Sequence, residues 1–566
     1  MIERVAVTGI GAVSALGTGA DATFDAVIAG RRGFGAVTLF DTADARCRIA
    51  AEVHALDPEL VASPEEAADF SRTDSMALVA AAEALARAGA RDGRLGVILG
   101  GTTGGMFETE QALLAGPLDR IDPRRAARLL SHPLDLTTER IARLAGGAHR
   151  RSTLCAACSS SALAIAQGLA WLRAGSVDCV LAGGADGLCR LTFFGFDALG
   201  ALDNEPCRPF DGRRRGLGLG EGAAFLCLER EGAARARGAE ILGFLSGAAA
   251  GAEAHHITHP EPSGAHAAEL LLRALATAGL EPSDIDYVNA HGTGTVQNDA
   301  MEARALHAAL GEAAARVLVS STKGHVGHTL GAAGALEAVI TVLAIHRGIV
   351  PATAGLETPE DPTLCHVVGA ARRAPLRAAA SCSFGFGGTG AVLVFESATT
   401  PLRIRSDARV ERVVVTGIAG VGPAGELTSG NVEHLLDAAA STPGGRLDPG
   451  PIKLLDPERS RRFDTNAALV TQLAGQALAR AGVGPSGVGV VAGTAFGSVE
   501  RSVRFILRAA ERGVRRANPA EFPQLVASAA SGNASIYLGL TGAALGVSDG
   551  ATSAETAVAT AVDALR

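Results

Sequence analysis

Ser152-Thr153-Leu154-Cys155-Ala156-Ala157-Cys158-Ser159-Ser160-Ser161-Ala162-Leu163-Ala164-Ile165-Ala166 is the stretch whose reading decides the fold. A short apolar run passes through small residues into an uncharged Ala-rich segment ending near Arg173. That is the pattern of a buried strand, a tight turn and a helix buried on most of its faces. Cys158 falls in the turn, where the first N–H groups of the helix point. Their partial positive charge favours thiolate over thiol and is expected to lower the pKa from its usual ~8.5. Small neighbours would let a thioester carbonyl approach the sulfur. A lone Cys in an apolar run is ordinarily core packing, and two histidine motifs far downstream alter that reading.

Upstream, Arg4-Val5-Ala6-Val7-Thr8-Gly9-Ile10-Gly11 reads as a buried strand entering a Gly-rich turn. It lacks the third glycine and the acidic residue of a dinucleotide site. Helical patterns follow near 22–30 and 74–89, then a strand and Gly-rich turn over Leu95–Gly105, and, after the Cys158 helix, the strand Cys179–Asp186. This alternation predicts an α/β fold with helix-covered sheets.

The bulk composition narrows the function. The chain has 566 residues, 48% hydrophobic and 19% charged, enough for several packed units. A net charge of −8 without a basic, aromatic-interleaved tract argues against nucleic-acid binding. Met1-Ile2-Glu3-Arg4-Val5 has no signal-peptide layout, and the longest uncharged stretch, Leu525–Ser548, is broken by Ser, Gly, Asn and Thr. A cytoplasmic protein without a membrane span is expected. The nine cysteines are irregularly spaced and odd in number, which is no disulfide framework. Cys155 and Cys158 form a CxxC with no second pair or matching histidines, so no metal is expected.

An internal repeat sets the domain map. Glu411-Arg412-Val413-Val414-Val415-Thr416-Gly417-Ile418 repeats Glu3–Ile10, and Ala479-Arg480-Ala481-Gly482 repeats Ala86–Gly89. Val491-Ala492-Gly493-Thr494, with Gly497 and Glu500, answers Leu99–Thr102 with Gly105 and Glu108. Carried forward, Cys158 meets Ala551. The predicted units are 1–250 with the nucleophile, 251–398 with two histidines and a lysine, a polar linker 399–410, and a third half unit over 411–566 without the cysteine.

His291-Gly292-Thr293-Gly294-Thr295 follows one predicted strand, and Lys323-Gly324-His325-Val326-Gly327-His328 follows another, ahead of an Ala/Gly-rich helix carrying Glu337. Catalytic groups collect at such strand ends. With Ala157–Ser161, Arg208-Pro209-Phe210-Asp211, Gly220-Glu221-Gly222 and Ser383-Phe384-Gly385-Phe386-Gly387-Gly388-Thr389, these motifs make residues 1–397 resemble the β-ketoacyl-acyl carrier protein synthases, the elongating ketosynthases of the thiolase superfamily.

The resemblance implies a thiolase-like layered fold of two pseudo-repeated halves, with the tail as an appended third half, and a decarboxylative condensation. Cys158 would hold the acyl chain. His291 and His328 would donate hydrogen bonds to the thioester oxygen of malonyl-carrier protein as it loses CO2. Lys323 would tune His328, with Glu337 supporting it. The N–H groups of Cys158 and Phe386 would form the oxyanion hole, with Phe386 also gating the acyl pocket. Thr293, Thr295 and Thr258 would hold the phosphopantetheine arm. No metal or other cofactor is implied. The partners would be an acyl carrier protein, met at Arg213, Arg214 and Arg215, and a second subunit in a homodimer or heterodimer. The product would serve fatty acid or type II polyketide synthesis. Arg215, Leu217, Gly218 and Gly390 depart from the family pattern. Those departures and the cysteine-less tail support a rival reading: a non-catalytic subunit of the chain-length-factor type pairing with a separate ketosynthase.

Overall fold

A computed structural model of the chain describes residues 4–54, 56–90, 93–116, 122–401, 413–422, 425–426 and 455–565. β1 (Val5–Ser14) is buried at all ten positions. One face is covered by α1 (Arg72–Ala88), which starts in a capping box between Ser71 and Asp74. A Cβ on Gly9 would lie 2.1 Å from Ala84 O, so only glycine admits this approach. The chain continues through β2 (Leu95–Gly100), β3 (Arg150–Cys155), α2 (Ser160–Arg173), β4 (Cys179–Asp186), α3 (Arg190–Ala198) and β5 (Gly222–Arg230). The next half holds β6 (Gly243–Ala252), β7 (Tyr287–Asn289), α4 (Val296–Leu310), β8 (Leu318–Ser320), α5 (Ala333–Arg347), β9 (Cys365–His366), β10 (Ala378–Phe384) and β11 (Thr389–Glu396).

The two halves repeat one plan. β2, β3 and β4 run parallel in one, β7, β8 and β10 in the other, each trio flanked by antiparallel strands. α2 packs on β2 and β4, α5 on β5 and β10, and the two helices pack on each other. Parallel strands covered by helices on their faces read as near-continuous apolar runs, which is why the alternation was visible in the sequence. The result is an α/β, thiolase-like layered fold with duplicated cores. Leu330–Arg347 is long and apolar enough to cross a membrane, and 89% of it is buried inside the protein.

The tail contributes α6 (Thr465–Ala481), β12 (Val490–Gly493), α7 (Val499–Arg512), α8 (Ala529–Leu538), β13 (Ala544–Val547) and α9 (Ser553–Leu565). Among the described residues, one sheet of fourteen strands runs β9-β8-β7-β10-β11-β6-β1-β5-β4-β2-β3-β13-β12, with Gly17–Thr18 added to β1. β12 pairs with β13 in the register of β2 with β3: Gly493 faces Val547 as Gly100 faces Leu154, a constant shift of 393 residues. Gly493 therefore stands for Gly100, one residue from the alignment expected above. β13 then pairs antiparallel with β3, Val547 opposite Leu154, its own counterpart in the repeat. The contact is thus close to a two-fold, as between the subunits of an isologous dimer.

Side chains fasten this joint. Asp549 accepts from Thr153 N at 2.7 Å. Asp563 on α9 accepts from Arg150 Nη2 at 2.5 Å, Trp171 Nε1 at 3.1 Å and Gln167 Nε2 at 3.2 Å. The expected strand at Val413–Ile418 does not form. Gly417 sits against Ala477 and Ala481 as Gly9 sits against Ala84 and Ala88, but Val414 and Val415 are 67% and 78% exposed. The repeat copies the helix contact and, among the described residues, no strand pairs there. The predicted linker lies outside the described residues from 402 to 410.

Candidate active site

Cys158 follows β3 by three residues and precedes α2 by two, in a turn bound by Ser159 N to Ala156 O and by Ser160 Oγ to Ala157 O. Ala157 has a φ of 49°, unusual for a residue with a Cβ. Phe386 N–H donates to the Cys158 sulfur, and a Cβ on Gly385 would come 2.9 Å from Cys158 N. The Phe386 loop therefore lies directly on the nucleophile turn. Thr389 locks the two together, donating to Ala156 O at 3.0 Å and meeting Ser159 Oγ at 2.9 Å.

The expected thiolate is not what this environment favours. Burial pushes the Cys158 thiol up to about 12, opposed by the charge of Lys323. A helix N-terminus acts locally, whereas Phe386, Phe196 and Phe522 close around the sulfur from three distant segments and remove the water that would solvate an anion.

His291 follows β7, and its loop is fixed by two carboxylates of α4. Glu302 accepts from His291 N and Gly292 N at 2.7 Å each, and Asp299 from Gly294 N at 3.1 Å. These two residues escaped the sequence analysis, although they share one face of the helix that directly follows the motif. Lys323 opens a single helical turn after β8. Its Nζ donates to His291 O at 2.6 Å, to His291 Nδ1 at 3.3 Å and to Glu337 Oε1 on α5. An ammonium has only donors, so Nδ1 of His291 accepts and Nε2 carries the proton. Lys323 thus bonds His291 directly, and its charge reaches His328 as well.

The His328 ring lies 5.4 Å from that of His291, centroid to centroid, and its buried Nδ1 has no hydrogen-bond partner among the described residues. Burial, and next the charge of Lys323, hold both imidazoles well below 6.5, hence neutral. Glu337 is raised by burial to about 7, with Lys323 pulling against it.

Of the remaining expected residues, Thr293 is buried, with its hydroxyl 2.9 Å from that of Thr295, which caps α4. Thr258 lies in the exposed 254–259 loop, its hydroxyl against the Nδ1 atoms of His256 and His259. His325 holds two backbone carbonyls and is structural. Of the Arg213–Arg215 knot, Arg215 is exposed and has no carboxylate partner among the described residues, whereas the other two arginines are paired. Arg213 pairs with Asp211 and Glu357, and buried Arg214 pairs with Glu360 and donates to Thr295 O and Val296 O. Gly218 and Gly390, two of the departures, stand where a Cβ would strike Phe34 and Leu270.

A cavity of about 50 Å³ opens beside Cys158, between Phe386, Phe196 and Met106. Phe522, Leu525 and Val526 of the tail close it. The sequence offered one signal for this, the apolar residues Phe522, Leu525 and Val526 just before α8. No group of three or more metal-ligating side chains occurs among the described residues.

Family models match most of the chain. The beta-ketoacyl synthase N-terminal domain matches residues 2–234 and again 448–566, and the C-terminal domain matches 242–357. A putative polyketide beta-ketoacyl synthase 1 of Streptomyces halstedii is 38% identical over 428 residues, covering 71% of this chain and all of that protein. A type II polyketide synthase ketosynthase, solved in the AntDE:AntF complex with its acyl-carrier protein, superposes with a TM-score of 0.63 at 28% identity, over 70% of this chain and all of that one. The PfaC keto synthase-chain length factor superposes over the whole of this chain and 72% of its own, with a TM-score of 0.81 at 20% identity, a likeness of fold.

Proposed function

Since the chain belongs to the β-ketoacyl synthase family, we propose that it catalyses the decarboxylative condensation of a Cys158-bound acyl chain with malonyl-acyl carrier protein, with its own tail in the place of a partner subunit. The observation that carries this is that Cys158 lines an apolar cavity within reach of the charges of the buried Lys323–Glu337 pair, and that Lys323 also acts on two neutral imidazoles whose rings lie 5.4 Å apart.

In the loading step the Cys158 sulfur attacks the acyl thioester, its proton leaves with the carrier thiol, and the acyl group stays on sulfur. The carbonyl oxygen gathers charge between the N–H groups of Cys158 and Phe386. Malonyl thioester then loses CO2 and its electron pair moves onto the thioester oxygen. His291 Nε2–H, fixed by Lys323 on the far side of the ring, donates to that oxygen, and His328 donates beside it. Neutral donors suit this role because they stabilise the enolate without protonating it. The enolate carbon attacks the acyl carbonyl, the Cys158 thiolate leaves, and the chain is two carbons longer. No metal or redox group enters these steps, and both substrates ride on phosphopantetheine, with Thr293, Thr295 and Thr258 along its path.

The tail would form the floor of the acyl cavity through Phe522, as a chain-length factor would, while Ala551 leaves it without chemistry. Cytoplasmic placement belongs to this reading. The test is intact-protein mass after incubation with acyl-carrier protein, followed by product analysis with malonyl-carrier protein. A gain of the acyl mass that needs Cys158, and a 3-oxoacyl product, are expected. No gain across a broad acyl panel would favour the non-catalytic subunit.

A further inference from the structure

α7 is two-sided. Phe505 and Ile506 are buried in the cluster that includes Leu191 and Phe194 of the first half, whereas Arg501, Arg504 and Arg508 recur on the opposite face. With Arg462 from the turn before α6, they line an open cleft of about 420 Å³, bordered by Asn518 and Glu521. Two of the four are partly answered: Arg504 by Glu500 at 2.7 Å and Arg508 by Glu521 at 3.1 Å. Among the described residues no carboxylate pairs with Arg462 or Arg501, and Arg501 donates only to Arg462 O, at 3.2 Å. In a chain of net charge −8 this is a local reversal of sign.

The cleft is also near the entrance. The charge of Arg462 reaches His256, in the loop whose Ile257 O accepts from Gly387 N at 2.8 Å. Gly387 adjoins Phe386 over Cys158 and rests against Gly532 of α8. The row from Arg501 to Arg508 extends about 10 Å along the helix. A single phosphate is too small to meet all of it, whereas carboxylates spaced along the surface of a small acidic protein match it.

We propose that the Arg462–Arg501–Arg504–Arg508 cleft docks the acidic face of the acyl carrier protein, so that the tail recruits the substrate that Cys158 consumes. This rests on the condensation reading above and takes the docking role from the Arg213–Arg215 knot, in which Arg213 and Arg214 are paired internally and Arg215 alone is left.

The test compares an R501E/R504E variant with the unaltered protein on two substrates, malonyl-carrier protein and malonyl-N-acetylcysteamine. The expected result is a KM for the carrier-borne substrate raised about tenfold or more, with a flatter salt dependence, and unchanged turnover of the small thioester. An unchanged carrier KM, or equal losses on both substrates, would overturn the proposal. Binding of holo-carrier to the C158A protein, read by biolayer interferometry with and without R501E/R504E, separates docking from chemistry. Carrier bound through the cleft with no condensation by the unaltered enzyme would sink the reaction and keep the dock. Condensation and binding both indifferent to R501E/R504E would keep the reaction and sink the dock. Inorganic tripolyphosphate occupying the cleft without displacing the carrier would also overturn it.

Discussion

The turn 156–160 and its repeat 549–553 hold the same hydrogen bonds around different chemistry. Ser160 Oγ donates to Ala157 O at 2.6 Å and accepts from Ala156 N at 2.9 Å; Ser553 Oγ donates to Gly550 O at 2.7 Å and accepts from Asp549 N at 2.9 Å. Both turns need a left-handed residue, φ 49° at Ala157 and φ 57° at Gly550. The tail meets that need with glycine at little steric cost, whereas the first half bears a strained alanine next to Cys158. The fold therefore keeps the turn for its own sake. What sets one copy apart is the second half, which brings Lys323 close enough for its charge to act on Cys158, with His291 and His328 gathered around that lysine.

The largest expected effect attacks that distinction directly. Cys158→Ala should abolish acyl loading and lower condensation by at least about a thousandfold. Ala551→Cys in the same protein should restore neither, since among the described residues no histidine pair faces Ala551. Acyl mass on the thiol introduced at position 551, together with recovered product, would break the comparison.

Next comes the aromatic from the tail. Phe522→Ala should destabilise the protein by about 3 kcal/mol and shift products to longer chains, read by denaturation and by mass spectrometry of the products. The reciprocal change, Gly195→Val, is blocked because a Cβ there would lie 2.0 Å from the Phe522 ring. If product length ignores Phe522, the tail is not part of the acyl pocket.

The pH dependence follows from the directions of the shifts. With Cys158 raised to about 12, the thiolate fraction grows as pH rises, so iodoacetamide alkylation should accelerate about tenfold per unit from pH 7 to 9 without a plateau. Both histidines are held below 6.5 and become charged only when pH falls below their lowered values. Condensation by acyl-loaded enzyme should therefore show no acidic limb at 6.5. A plateau in alkylation near neutrality would mean that the helix N-terminus outweighs burial.

The smallest effect is on the turns themselves. Gly550→Ala should cost roughly 1 kcal/mol, since its left-handed φ disfavours a Cβ. Ala157→Gly should change the unfolding temperature little, relief of strain being offset by the greater freedom of glycine in the unfolded chain.

Much of this was legible because it is local. The strand, turn and helix around Cys158, the motifs at 291–295 and 323–328, and the repeat all leave short-range patterns. The protonation of Cys158 was not, because it is set by aromatic rings from residues 196, 386 and 522. The pairing within the Arg213–Arg215 knot was hidden for the same reason: Glu357 and Glu360, which pair with Arg213 and Arg214, lie more than a hundred residues on. The tail gave its repeat but not its docking, since the pairing of Val547 with Leu154 depends on which edge of the sheet is free.

Trp171, the only tryptophan in the chain, is fully buried and gives its indole N–H to Asp563 of the tail, with the Arg150 guanidinium 4.3 Å from its ring centroid. The protein thus carries a native optical probe at the seam between the copy that bears Cys158 and its repeat. Separation of the tail would strip the indole of its carboxylate acceptor and admit water, reddening its emission before either part unfolds. The joining and parting of the tail can then be followed, unlabelled, by the colour of a single residue.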